Sequence, residues 1–296
     1  MRPRHVLLAL LVVTIWGFNF VVIEIGLQGL PPLLFTTLRF LFAAFPLVFF
    51  VQRPSIAPRL LIGWGLAQFA VQFSLLFVGM KLGMPAGLSS LVIQLQAFFT
   101  IGLAWWLLGE HARPMQLVGA GIALGGMGIV AWHLDTPSTL IGLLLVVGAG
   151  MSWAAANILT KRMGAVEPLA LAAWGSLIAV PPLLVLSLLM EGPVAMASAL
   201  RGMNLASWGT VLFQSYPNTL LGFGVWSMLM RRYPAAQVAP FSLLVPVAGM
   251  VSATLVLHEA LEPWKIAAGM LVLGGLALNQ FAGRLRGWMR RAAVRA

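Results

Sequence analysis

Moved along by 149 positions, the later part of the first half of this chain lands on the second half with its landmarks aligned. Pro85-Ala86 falls on Pro234-Ala235, Glu110 on Glu259, Pro114 on Pro263 and Gly125-Gly126 on Gly274-Gly275. Nearer the N-terminus the shift is 138, pairing Asn19 with Asn157 and Gly26 with Gly164. The eleven-residue difference between the shifts fits an insertion within 191–207. A duplicated unit confines the fold to two copies of one bundle, and it tells which residues should be compared with which.

The solvent for that bundle follows from composition. Hydrophobic residues make up 60% of the chain and charged residues 8%, with a mean hydropathy of +0.97. Such a chain cannot cover itself with polar surface, so lipid must surround it. A membrane-crossing helix needs about 20 apolar residues. Ten runs qualify, at 6–27, 33–51, 60–80, 85–108, 115–132, 140–161, 169–190, 206–230, 235–257 and 264–282. The period-two alternation of a β-barrel is absent. The expected fold is therefore an all-α membrane protein of ten transmembrane helices, arranged as two inverted five-helix repeats. The first repeat is 1–133 and the second 134–283, followed by a basic tail at 284–296. Arg2 and Arg4 before an apolar run suggest a signal peptide, but no small-x-small cleavage site follows, so this segment is read as an uncleaved first helix. The chain has no cysteine, which excludes disulfides and thiolate metal sites.

A net charge of +11 would suggest nucleic acid in a soluble protein; here it reports orientation. With the N-terminus in the cytoplasm, the cytoplasmic segments hold Arg2, Arg4, Arg53, Arg59, Arg113, Lys161, Arg162, Arg231, Arg232, Arg284, Arg286, Arg290, Arg291 and Arg295. The opposite side keeps only Lys81, Arg201 and Lys265. This is the positive-inside bias, and it places both termini inside. The basic tail reads as a topology anchor, with contact to anionic lipid as the alternative. Five is odd, so the second repeat enters from the other side, leaving Glu110 cytoplasmic and Glu259 external. Inverted units of like shape can exchange conformations and expose a central site to each side in turn.

Polar groups within spans are costly, about 2.5–3.5 kcal/mol for a mid-helix charge on insertion scales, so each invites a functional reading. Trp16 and Asn19 share a helix face, and Trp153 and Asn157 form its counterpart. Two such faces near the bundle axis suit a small polar solute; interhelical hydrogen bonding is the plainer use. Gln72, four residues from Gln68, and Gln94 are further lining candidates. Gln94 and Gln96 cannot share a face, so one of them serves packing. Gln214, Tyr216 and Asn218 surround Pro217, and Pro240 and Pro246 flank Ser242. These prolines are hinge candidates, because each removes a backbone donor. Arg39, about 10 Å inside the second span at 1.5 Å per residue, either pairs with Glu24 or faces a substrate carboxylate. Glu24 is the coupling candidate, since a desolvated carboxylate can change ionisation with access to water. Gly119, Gly121, Gly125, Gly126 and Gly128, with Gly269, Gly274 and Gly275, assign the fifth and tenth spans to scaffold or homo-oligomer contact. Trp105, Trp106, Trp132, Trp226, Trp264 and Trp288 fall near span ends, where an indole suits the interface.

The chain resembles the EamA-type branch of the drug/metabolite transporter superfamily. The resemblance is carried by Trp16-Gly17-Phe18-Asn19-Phe20, Leu38-Arg39-Phe40, Gly83-Met84-Pro85-Ala86-Gly87, Gly109-Glu110 and His258-Glu259. The segments Gln94-Leu95-Gln96-Ala97-Phe98-Phe99 and Ala239-Pro240-Phe241-Ser242-Leu243-Leu244-Val245-Pro246 look most like cysteine/O-acetylserine exporters, and more distantly like aromatic amino acid exporters. The resemblance implies a bacterial inner-membrane carrier exporting amino acids or related metabolites, with no cofactor. At Glu24, where relatives often carry lysine, the sequence departs from the pattern. The rival reading is a membrane enzyme modifying lipids or metabolites. That chemistry wants clustered carboxylates or a His/Asp pair, whereas His5, His111, His133 and His258 are scattered near span ends. A channel would want charged rings or a filter loop, and neither is present.

Overall fold

Proline sets where most of these helices begin. The computed structural model describes residues 1–111, 114–133 and 137–293, with residues 137, 138, 235, 236 and 281–293 described by backbone alone. Among the described residues all regular structure is helical: α1 (Pro3–Gly29), α2 (Pro32–Ala44), α3 (Pro58–Gly65), α4 (Gln72–Lys81), α5 (Ala86–Val92), α6 (Gln96–Leu108), α7 (Pro114–Trp132), α8 (Pro137–Met163), α9 (Pro168–Met190), α10 (Pro193–Arg201), α11 (Leu205–Phe213), α12 (Gly222–Arg232), α13 (Ala235–Val238), α14 (Leu244–Leu257) and α15 (Pro263–Ala293). Eight of these open on proline, where its missing N–H is one the helix leaves unpaired anyway and its fixed φ is already helical. A π-helical segment, Leu66–Val71, joins α3 to α4, and a second, Gln214–Leu221, joins α11 to α12. Short 3-10 turns at Ile93–Leu95 and Ala239–Leu243 join α5 to α6 and α13 to α14.

Eight helices, not ten, are long and apolar enough among the described residues to cross a membrane. Leu205–Phe213 and the run after it fall short because Gln214, Ser215, Asn218 and Thr219 occupy the middle, all of them buried. For α15, the side chains beyond Gln280 lie outside the description, as do those of Arg284, Arg286, Arg290, Arg291 and Trp288. Arg113 and Arg295 of the cytoplasmic cation set lie outside the described residues altogether.

The correspondence read from the sequence reappears in local structure. Under the 149 shift the first π segment falls inside the second, and the two 3-10 turns overlap at Ser242 and Leu243. α6 ends on Gly109 at φ 67° and α14 on His258, the equivalent position, at φ 56°. Left-handed caps of this kind satisfy the last carbonyls of a helix. The eleven extra residues fall around α10; at the matching place in the first half, between α2 and α3, stands a single 3-10 turn, Leu47–Phe49. Contacts repeat as well: α1 packs on α14 as α8 packs on α6, and α1 packs on α12 as α8 packs on α4.

Two pairs of equivalent helices meet each other, and both run antiparallel. In α7 and α15 the glycines allow near backbone contact: a Cβ on Gly119 would stand 2.6 Å from the Gly275 carbonyl, and one on Gly126 would stand 2.9 Å from that of Ala268. Gln116 donates to Asn279 at 3.0 Å across the same seam. Gly121, Gly125, Gly128 and Gly274 have open space instead. In the α2–α9 pair, Glu191 at the end of α9 accepts from the N–H groups of Leu33 and Leu34 at 2.6 and 2.9 Å, the first turn of α2. Ser187 adds a hydrogen bond to the same carboxylate at 2.6 Å. α2 has no cap of its own, so Glu191→Ala is expected to cost about 1–2 kcal/mol, read as a lower apparent melting temperature in detergent. An unchanged melting temperature would count against this cap.

Candidate functional site

Arg39 is the largest fully buried side chain, at 1% exposure. α2 turns it toward the π segment Gln214–Leu221, and that segment supplies its partners. Nη1 donates to the Gln214 side-chain oxygen, and Nη2 to Thr219 Oγ1 at 3.4 Å. Gln214 and Thr219 are five apart, the repeat of a π turn, so both present oxygens to one guanidinium. The Thr219 hydroxyl also donates to the Gln214 carbonyl at 2.8 Å, and Ser215 donates to the Arg39 carbonyl at 2.9 Å. The guanidinium lies 4.0 Å over the Phe73 ring and 5.1 Å from that of Phe40, a cation–π arrangement.

No carboxylate accompanies it. The ion pairs among the described residues are Lys161–Glu110 and Lys265–Glu262. The alternative in which Arg39 holds Glu24 is therefore corrected: the side chain turns into the π segment, where two oxygens await it. Glu24 is partly exposed on α1 and lies in the field of Glu259 and Lys81. Lys81 itself donates to the Leu27 carbonyl at 2.6 Å.

Around Arg39 several buried polar atoms have no partner: Arg39 Nε, Gln214 Nε2, Asn19 Oδ1 and Asn218 Oδ1. Such atoms are uncommon, because each gives up its hydration without compensation. They belong to three segments that pack together. Trp16, one turn before Asn19, donates to the Asn218 carbonyl at 3.1 Å and stands against Trp226 and Phe223 at centroid distances of 5.1 and 6.1 Å. Gly222 leaves room for that indole, since a Cβ there would meet Nε1 at 2.5 Å. Trp226, expected at the interface, is thus part of this aromatic group.

The counterpart face is built differently. Asn157 donates to Gln96 at 2.8 Å and to Thr100 at 3.0 Å. Gln96, rather than Gln94, is the glutamine it engages. Gln94 is buried at 9% exposure within the 3-10 turn. Trp153 packs against the apolar core. Gln72 accepts from Gln68 at 2.9 Å, and both are buried. Tyr216 is 37% exposed. Pro217 lies within the π segment, Pro240 within the Ala239–Leu243 turn, and buried Pro246 within α14. Thus Trp16, Asn19, Arg39 and Asn218 gather around one π segment, whereas Asn157 belongs to the α6–α8 contact and Trp153 to the apolar core. Thr219 and Thr100 escaped the sequence reading. Thr219's spacing of five from Gln214 was the available signal.

Comparison with known proteins matches the EamA-like transporter family twice, at residues 3–132 and 140–281. Two relatives, from Salmonella typhimurium and Escherichia coli, are each named a probable amino-acid metabolite efflux pump. Each is 41% identical, with 97% of this chain and 98% of the relative covered. A probable terminal-alkyne amino-acid exporter of Streptantibioticus cattleyicolor is 27% identical, over 92% of this chain and 91% of its own. A solved crystal structure shares the fold at a TM-score of 0.65 and 20% identity, covering 96% of this chain and 99% of that one.

Proposed function

The chain belongs to the EamA-like transporter family, and from that premise we propose that it exports amino acids or related small metabolites by alternating access. The family and the relatives are transporters, which removes the membrane-enzyme alternative. In this reading ten helices cross a bacterial inner membrane as two inverted repeats, 1–133 and 134–283, with both termini and the 284–296 tail in the cytoplasm. The double family match supports two copies, and the antiparallel packing of α7 with α15 and of α2 with α9 supports their inversion. The polar run Gln214–Thr219 is a substrate-facing interruption of the eighth span; irregular backbone at membrane depth is tolerated where it faces protein or a cavity.

The observation that carries the substrate class is the uncompensated chemistry around Arg39. A buried cation without a counter-charge is strongly unfavourable, and a solute carboxylate supplies the missing charge. Arg39 Nε and Gln214 Nε2 are unpaired donors suited to a carboxylate; Asn19 Oδ1 and Asn218 Oδ1 are unpaired acceptors suited to an ammonium. A zwitterion satisfies both sets, with the Trp16 indole as a wall. Gln72, Gln94, Trp153, Asn157 and Tyr216 line the remainder of the path, Pro217, Pro240 and Pro246 act as hinges, and Glu24 is the coupling group. Counterflow in proteoliposomes tests this. Uptake of a labelled small neutral amino acid should saturate and should accelerate when unlabelled solute is inside. The matching amine, lacking the carboxylate, should not compete. Competition by the amine equal to that of the amino acid would overturn the assignment.

A further inference from the structure

Glu110 and Glu259 leave their helices from equivalent backbone caps, yet their carboxylates do different things. Each N–H returns to the carbonyl six positions back, Glu110 to Ala104 at 3.2 Å and Glu259 to Ala253 at 3.3 Å. From that platform Glu259 reaches into the other repeat. Its two oxygens accept from the Ala86 and Gly87 N–H groups at 2.8 and 3.2 Å, the first turn of the helical run Ala86–Leu108. A carboxylate there satisfies N–H groups the helix cannot pair and complements its dipole. The equivalent targets for Glu110 are Ala235 and Ala236 at the start of α13. Glu110 instead holds Lys161 at 2.7 Å, with the two side chains 52% and 45% exposed.

Packing follows the same division. Every residue of 86–95 is buried, whereas at the equivalent positions 235–244 only Val238 is buried among the described side chains. The next turns of the gripped helix, 96–103, contain no buried residue. The segment that Glu259 grips is thus buried throughout, and its equivalent near Glu110 is mostly part-exposed among the described side chains.

We infer that Glu259 and Glu110 are a pair of alternating latches, each closing its own end of the carrier by gripping the first turn of a helix in the opposite repeat. The structure holds the Glu259 latch shut and the Glu110 latch released onto Lys161. In the opposite state Glu259 lets go of Ala86 and Gly87, while Glu110 leaves Lys161 for the Ala235 and Ala236 N–H groups. This rests on the inverted-repeat reading above, and it assigns positioning roles to three residues outside the solute site.

The absence of native cysteine makes a clean test. Ser90, one turn below the Glu259 grip and fully buried, is replaced by cysteine, and its reaction with a membrane-impermeant thiol reagent is timed from the Glu259 side of sealed vesicles. Adding Glu259→Gln, which loses one acceptor and the charge, should raise that rate about tenfold, as loss of a charge-assisted hydrogen-bond pair implies. Lys161→Met frees Glu110 and should raise it by less, since exposed pairs are weak. Glu110→Gln removes the opposing latch and should lower it. Simple loss of folding would move all three the same way. Rates unchanged in Glu259→Gln, or shifts of one sign in all three, would overturn the latch. Counterflow by the Ser90→Cys protein is read in parallel. Absent counterflow with the three signs intact sinks the solute reading alone, and intact counterflow with unchanged labelling sinks the latch alone.

Discussion

Arg39→Gln is expected to reduce transport by about 100-fold, the scale of losing roughly 3 kcal/mol when one partner of a buried charge-assisted contact is removed. Arg39→Lys should not rescue it. A lysine ammonium cannot address the Gln214 and Thr219 oxygens in the fork that Arg39 makes, nor lie flat over Phe73. The informative variant is Arg39→Met. A purely structural arginine would leave a less stable protein when replaced. Here the cation has no carboxylate partner, so Arg39→Met removes an uncompensated buried charge but leaves the Gln214 side-chain oxygen without its donor, two effects of opposite sign. Arg39→Met should therefore keep a melting temperature in detergent within a few degrees of native while failing to transport. A folded Arg39→Gln protein carrying solute at the native rate would end the assignment.

The second large effect lies in the α7–α15 seam. Gly119→Val drives a branched side chain at the Gly275 carbonyl, 2.6 Å from where even its Cβ would sit. Backbone cannot yield as a flexible side chain does, so the helices must separate, at a cost of about 1–3 kcal/mol or more. Gly275→Val should behave alike, because its Cβ would meet the Gly119 carbonyl. Gly121→Val is the matched control on the same helix. Nothing lies within 4 Å of its Cβ position, and the change should leave monomer stability unaltered. Thermal unfolding followed by size-exclusion fluorescence separates the cases. Equal melting temperatures for the valine variants at 119 and 121 would show that the seam does not depend on close approach.

Much of the architecture could be read from the residues alone, for reasons that can be named. The fifth and seventh spans, expected at 115–132 and 169–190, are observed as Pro114–Trp132 and Pro168–Met190, because a proline marks each start. The repeat was legible because Gly109-Glu110 and His258-Glu259 are chemically distinctive and rare in apolar sequence. The site was read only in part. Arg39, Asn19 and Asn218 could be picked out because polar groups in hydrocarbon are costly. Their partners could not, since a π segment shifts the facing register from four residues to five, and no local signal announced one at Leu66–Val71. The Glu259 contact spans 173 positions, and nothing near Glu259 in sequence says whose N–H groups it caps. The Arg39–Glu24 pairing failed for the same reason: matched depth in two neighbouring helices does not fix which way a side chain turns.

If two copies of one bundle face opposite sides of the membrane, cysteines placed at equivalent loop positions must be reached from opposite sides. His111 and Ala260 are equivalent under the 149 shift and both exposed. His111→Cys and Ala260→Cys, each the only thiol in its chain, are labelled with an impermeant reagent in right-side-out and in inside-out vesicles. The His111→Cys protein should react only in inside-out vesicles and the Ala260→Cys protein only in right-side-out ones. Reaction of both from the same side would contradict the inversion.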